Sequence, residues 1–162
     1  MRPIYFTEHA SPLGQLTLAA TNTGLCGCYF FDQRNFKGAQ DWQRNDLHPL
    51  LQNTAQQLDD YFRGQRRVFD LPLDLQILGT PFQQAVWNAL IDIPFGATST
   101  YGRHASLVNK PLAVRAVGGA IGRNPISIIV PCHRVIGKTG ALTGYDGGLE
   151  RKQFLLRLEG VL

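Results

Sequence analysis

The sequence predicts an α+β chain in two parts, a strand-rich N-terminal part followed by a mostly helical one, on three observations. Residues 4–31, IYFTEHASPLGQLTLAATNTGLCGCYFF, alternate between short apolar and polar stretches broken at Pro12-Leu13-Gly14 and Asn22-Thr23-Gly24, the pattern of antiparallel strands joined by turns. From residue 80 onward the apolar residues recur instead at helical intervals behind cap and proline signals. The chain has 162 residues, 44% of them hydrophobic, enough to bury a genuine core. These patterns place the division between residues 1–78 and 79–162.

In the first part a small meander sheet is followed by LHPLLQNTAQQLDDYFRG (47–64). Leu51, Ala55, Leu58 and Tyr61-Phe62 follow a helical period there, and Gly64 stops it. VFDLPLDLQ (68–76) reads as an extended connector. In the second part Thr80-Pro81 is an N-cap with proline at the first helical position, and Phe82, Val86, Leu90 and Ile93 share one face up to Pro94-Phe95-Gly96. STYGRHASLVN (99–109) predicts a short helix, and KPLAVRAVGGAIGRN (110–124) a second from Pro111 to about Gly122. Two short helices with a tight break resemble a helix-turn-helix, although pattern alone equally allows a plain helical hairpin in a core. Ser127 to Val130 reads as a short buried strand whose ladder Pro131 interrupts, leaving Cys132 where the chain exits the sheet. LERKQFLLRLEG (149–160) is the last helix.

Charge and cysteine content narrow the function. Residues 80–162 carry nine Lys and Arg against four Asp and Glu, a net +5, while residues 1–79 carry seven against eight, a net −1. A positive C-terminal half suits a polyanion such as DNA and equally suits ordinary solubilisation. No run approaches about 18 apolar residues and the N-terminus lacks a leader pattern, so a cytoplasmic protein without membrane association is expected. Three cysteines are too few and odd in number for a disulfide framework. Cys26 and Cys28 share one strand face but lack the further ligands a metal needs, and read as buried structural thiols.

Cys132 is different. An ordinary thiol of pKa about 8.5 needs a base to attack at neutral pH, and His133 is the adjacent candidate. Adjacent side chains on an extended chain diverge, so contact requires a bend or a bridging water. Glu159 stands at the C-terminal end of a helix, where the dipole disfavours it, which suggests that another group holds it there; a carboxylate is the usual orienter of a histidine base. The helix around residues 112–120 has almost no side chain able to read base edges. Its small residues suit close approach to a narrow groove, with Arg115 as a wedge into the base stack.

Asn124-Pro125, Pro131-Cys132-His133-Arg134-Val135, Gly144-Tyr145 and Gly147-Gly148-Leu149, with Tyr101 and Arg115 upstream, together resemble the signature of the O6-alkylguanine-DNA alkyltransferases across residues 80–160. The resemblance implies a ribonuclease-H-like N-terminal domain and a C-terminal domain with a helix-turn-helix. It implies irreversible transfer of the alkyl group of O6-alkylguanine, and of O4-alkylthymine, from DNA to Cys132, once per molecule and without cofactor or metal. His133 would deprotonate Cys132 through a water, Glu159 would orient His133, and Asn124 would be a hinge between the DNA-binding helix and the active-site strand. Tyr101 would help rotate the nucleotide out and protonate the leaving base, with Arg115 filling the gap. Ala113, Val114 and Gly118 would meet the minor groove of double-stranded DNA. Val135, Tyr145, Asp146 and Gly147 would line the pocket for the flipped base. Asp146 departs from the family, which commonly has small neutral residues there, and this bears on bulky alkyl groups. A stand-alone, monomeric repair protein is implied. Two other readings are a thiol hydrolase or acyltransferase using the same Cys-His-Glu relay, which leaves the Gly- and Ala-rich helix unexplained, and a non-catalytic damage-binding protein, whose alkyltransferase-like examples replace the acceptor cysteine.

Overall fold

The computed structural model of the protein describes residues 3–39 and 41–162. Strands β1 (Tyr5–Ser11), β2 (Gly14–Ala20) and β3 (Leu25–Phe30) form the expected antiparallel meander. At the first turn Gly14 takes φ +103°, open only to glycine without strain, and the Ser11 hydroxyl donates to its carbonyl at 2.6 Å. A two-residue strand, β4 (Gln43–Arg44), joins parallel to β1 and completes the order β3-β2-β1-β4. Nothing in RNFKGAQDWQRN announces β4, because its residues are exposed and lack alternation.

Helix α1 (Pro49–Phe62) packs on β1 and β2, burying Leu51, Leu58 and Tyr61 on the face its periodicity predicts. The connector then runs extended past the sheet edge, where Leu25 N donates to Pro72 O at 2.8 Å and Asp74 N to Leu25 O at 2.7 Å. Helix α2 (Pro81–Ile91) starts at the expected cap. Gln83 N donates to the Thr80 hydroxyl at 3.2 Å, and Thr80 N donates to the Gln83 side chain at 2.9 Å, a reciprocal capping box.

A two-residue strand β5 (Ser99–Thr100) leads into α3 (Tyr101–Leu107), and α4 (Val114–Gly122) follows after a tight break. Helix α4 begins at Val114 rather than Pro111, because residues 110–113 close a turn through Ala113 N donating to Lys110 O at 2.9 Å. Both helices pack on α2, and the Trp87 indole donates to Ala120 O at 2.8 Å. A short 3-10 turn (Cys132–Arg134), strand β6 (Val135–Ile136), parallel to β5, and α5 (Leu149–Leu158) complete the chain.

The expected strand at 127–130 is instead a buried turn. Only Ile126 bridges β3, opposite Cys28; the chain then folds on itself, with Val130 N donating to Ile126 O at 3.0 Å and Ile129 N to Ser127 O at 2.8 Å. An apolar run does not distinguish a strand from a buried turn by period alone. The core is continuous from the sheet through α2 and α4 to α5. Among the described residues no helix is long and apolar enough to cross a membrane.

Candidate active site and DNA-facing helix

The turn at 126–130 delivers Cys132. Ile128 occupies φ +74°, a conformation strained for a β-branched residue, and the side chain of Asn124 adds hydrogen bonds to the backbone bonds that hold the turn there. Its amide nitrogen donates to Val130 O at 2.8 Å and Ile126 O at 3.3 Å, while its oxygen accepts from Ile126 N at 3.0 Å. Asn124 therefore joins the end of α4 to the segment that carries the thiol, and it also hydrogen-bonds the thiol itself.

From Cys132 the chain enters the 3-10 turn Cys132–Arg134, which supplies a bend that an extended chain lacks. His133 is fully buried and its Nε2 meets Glu159 Oε2 at 2.7 Å. Its Nδ1 has no partner among the described residues. Beside an ionised carboxylate Nε2 carries the proton, so Nδ1 offers the lone pair a base requires. Glu159 is the C-cap of α5, and the groups that hold it against the helix dipole are now identified. Arg134 grips it in a fork, Nε to Oε1 at 2.7 Å and Nη2 to Oε2 at 3.0 Å, while Arg134 Nη1 donates to Ile93 O at 2.6 Å. The hydroxyl of Tyr61, from α1, donates to Oε2 at 2.6 Å.

The electrostatics follow. Burial pushes the Glu159 carboxyl up, but the hydrogen bonds from His133 and Arg134 outweigh it and bring the group down to about 2. Burial lowers His133 below its ordinary range against the upward pull of Glu159, which keeps the ring neutral and basic at pH 7. The Cys132 thiol is lifted to about 11 by burial; the Asn124 hydrogen bond and the charge of Lys152 pull it back, and Asp146 adds to the rise. Lys152 is 1% exposed, pushed down to about 8 by burial, and donates to Val135 O at 2.6 Å and Thr143 O at 2.9 Å. Arg134, Lys152 and Tyr61 are neighbours of these groups to which sequence reasoning gave no role. For Lys152 a signal existed: with Leu155, Leu156 and Glu159 it occupies the i, i+3, i+4, i+7 stripe that α5 buries.

The base-pocket candidates are gathered near the thiol but differ in exposure. Val135 is buried in β6, and Tyr145 is buried with its hydroxyl unpartnered among the described residues, its ring edge-on to Phe30 at 6.4 Å. A Cβ on Gly147 would fall 2.7 Å from the Phe30 ring, so that position demands glycine. Asp146 is partly exposed and its carboxylate accepts from the backbone and side-chain nitrogens of Asn35, each at 3.2 Å, an anchor on the N-terminal part that the sequence reading did not foresee.

Tyr101, the first residue of α3, donates its hydroxyl to Thr143 O at 3.0 Å, and its ring lies against Gly118 of α4. Burial is the main reason its phenol is pushed up, with Cys132 contributing, so this ring links the helix pair to the thiol's surroundings. Helix α4 buries Val117, Ala120 and Ile121 and leaves Val114, Arg115, Ala116 and Gly119 outside, with Ala113 half-buried at its start and Leu112 fully exposed before it. The outer face is thus small or apolar with a single cation, Arg115.

Cys26 and Cys28 are buried thiols, as expected, each lifted to about 12 chiefly by burial. Cys28, although distant from Cys132 in sequence, lies next to it in the fold. Its backbone is bonded to Pro125 and Ser127, and Cys132 contributes to its shift, because β3 runs directly under the active-site turn.

Two family models match the chain: the 6-O-methylguanine DNA methyltransferase ribonuclease-like domain over residues 4–75, and the DNA binding domain of the same proteins over residues 81–161. A methylated-DNA–protein-cysteine methyltransferase of Haemophilus influenzae is 43% identical, with 99% of this chain and 89% of that one aligned. One of Methanosarcina acetivorans is 45% identical over 97% of this chain and 99% of its own. Among solved structures, that of Mycobacterium tuberculosis OGT in complex with DNA superposes with a TM-score of 0.88 at 45% identity, covering 96% of this chain and 92% of that one. With both halves matched by the family's models and near full-length relatives above 40% identity, this chain belongs to the 6-O-methylguanine DNA methyltransferase family.

Proposed function

We propose that the protein repairs O6-alkylguanine, and O4-alkylthymine, in double-stranded DNA by moving the alkyl group irreversibly onto its own Cys132. The observation that carries this reading is the buried Cys132–His133–Glu159 series, in which Glu159 fixes Nε2 and leaves Nδ1 free as base. The thiol proton passes to Nδ1 through a bridging water. Sγ bonds to the alkyl carbon as the C–O6 bond breaks, the electron pair goes to the base, and the Tyr101 hydroxyl assists its reprotonation. A thioether is a poor leaving group, so each molecule acts once. No cofactor takes part in this scheme. Val135, Tyr145, Asp146 and Gly147 hold the flipped base. We retain the division into domains 1–78 and 79–162, a monomeric protein and, given three free thiols, a cytoplasmic setting. Intact mass after incubation with an O6-methylguanine oligonucleotide tests the reading: a gain of one methyl group supports it, and an unchanged mass beside DNA that stays methylated overturns it.

On the DNA side, α4 meets the minor groove through Ala113, Val114 and Gly118 with Tyr101 behind them, reading shape rather than sequence. Six of the nine cations beyond residue 80 are exposed, among them Arg103, Lys110, Arg115 and Arg123 on or beside α3 and α4. Affinity is therefore expected to fall roughly tenfold or more between about 50 and about 200 mM salt. Salt-independent binding, or binding confined to one short sequence, would argue against a groove-shape mode.

Arg115 is the only charged side chain between Pro111 and Ile121, and it is exposed. In this scheme it fills the stack left by the flipped nucleotide. Arg115→Ala should slow repair in duplex DNA by at least about tenfold while reaction with free O6-benzylguanine, which needs no flipping, stays near wild type. Equal losses on both substrates would place Arg115 in the chemistry or the fold.

A further inference from the structure

We propose that Tyr61 is a positioning residue of the alkyl-transfer site, through which the N-terminal half takes part in the proton relay. The inference rests on the Cys132–His133–Glu159 reading and adds to it a fourth group from a part of the chain that the relay does not otherwise use.

Three observations carry it. The Tyr61 hydroxyl donates at 2.6 Å to Glu159 Oε2, the same oxygen that His133 Nε2 meets at 2.7 Å. Both side chains are buried, Tyr61 at 1% exposure, so solvent cannot take over either bond. Burial, and then the Glu159 charge, raise the phenol far above its ordinary range, so the hydroxyl stays protonated and meets the carboxylate only as a donor. The ring is itself immobilised. It packs edge-on to Phe62 at 5.4 Å and to Phe95 at 6.3 Å, and against Phe69 at 5.3 Å, and Phe95 also carries the Arg134 guanidinium on its face.

The consequence is geometric. Arg134 holds Oε1 at 2.7 Å and Oε2 at 3.0 Å, and Tyr61 adds a second, shorter donor on Oε2. A rigid donor from α1 holds Oε2 against His133 Nε2, so that the ring is pinned at that nitrogen with Nδ1 left as the base. Packing alone does not account for the hydroxyl. A phenylalanine would fill the same apolar nest, and the polar atom is needed only by Glu159.

Tyr61→Phe keeps the ring and its neighbours and removes only the donor. The expected result is a transfer rate to Cys132 from O6-benzylguanine about tenfold lower, with affinity for unmodified duplex DNA unchanged. Loss of a competing donor on Oε2 strengthens the remaining bond, so the ring N–H proton of His133 should move downfield in the NMR spectrum. In a Glu159→Ala background, Tyr61→Phe should add no further slowing. An unmoved His133 proton with an unchanged rate, or an equal rate loss in both backgrounds, overturns the role of Tyr61 and leaves the relay standing. A Glu159→Ala protein as fast as wild type overturns the relay, and the role of Tyr61 with it.

Discussion

Given an excess of O6-methylguanine DNA, the protein is expected to repair about one equivalent and stop, with the methyl group on the peptide that contains Cys132. The structure makes the mapping decisive, because a second thiol lies close by. Cys28 is on the strand beneath the turn at 126–130, buried and lifted to about 12 with nothing pulling it back, whereas at Cys132, itself lifted to about 11 by burial, the Asn124 hydrogen bond and the charge of Lys152 offset part of the rise. Cys132→Ala should bind DNA and transfer nothing, and Cys28→Ala should leave the plateau in place. His133→Ala should slow transfer by roughly 10²-fold or more and still reach the plateau, since it assists the thiolate without accepting the alkyl group. Turnover beyond one equivalent, or a methyl group on Cys28, returns the thiol-hydrolase reading or a different acceptor to the front.

Much of this arrangement is legible in the sequence, and the exceptions have two physical causes. Cys132 and Glu159 stand out because each breaks a local rule, a thiol after proline at the end of an apolar run and a carboxylate at the wrong end of a helix, and His133 follows as the titratable neighbour of the thiol. Arg134 and Lys152 each stand at an apolar position, Arg134 in the run IIVPCHRVI and Lys152 on the stripe of Leu155 and Leu156. A long cation can snorkel to the surface, however, and only the fold shows its charged head held inside, against Glu159 and Phe95 or on the carbonyls of Val135 and Thr143. Tyr61 was read as one more apolar residue of α1, since period reports which face is buried and not what a hydroxyl reaches 98 residues away. The turn at 126–130 was hidden differently. Its hydrogen bonds are backbone bonds within the turn together with those of the Asn124 side chain, substitutes for ladder bonds that hydrophobic pattern does not register.

The largest stability effect is expected at Arg134. Its fork to Glu159 is buried, at 8% and 0% side-chain exposure, and removing one partner leaves a carboxylate without its main counter-charge in the interior. Arg134→Met, which keeps most of the volume, should lower unfolding free energy at pH 7 by about 3–5 kcal/mol. For a chain of this size that is a fall in Tm on the order of 10 °C. The pH dependence separates this from lost packing. In the wild type the carboxyl is held at about 2, below its ordinary 4.5, so its stabilising contribution is fully present above 4.5 and is lost as pH falls toward 2. Without Arg134 the folded-state value rises and that contribution shrinks. The gap between wild type and variant should therefore be widest above about pH 5 and narrow steadily as the solution is acidified through this window. Denaturant titrations at a series of pH values measure it directly. A gap that stays constant down to low pH would mean that the Arg134 stem and its Phe95 contact, not its charge, carry the effect.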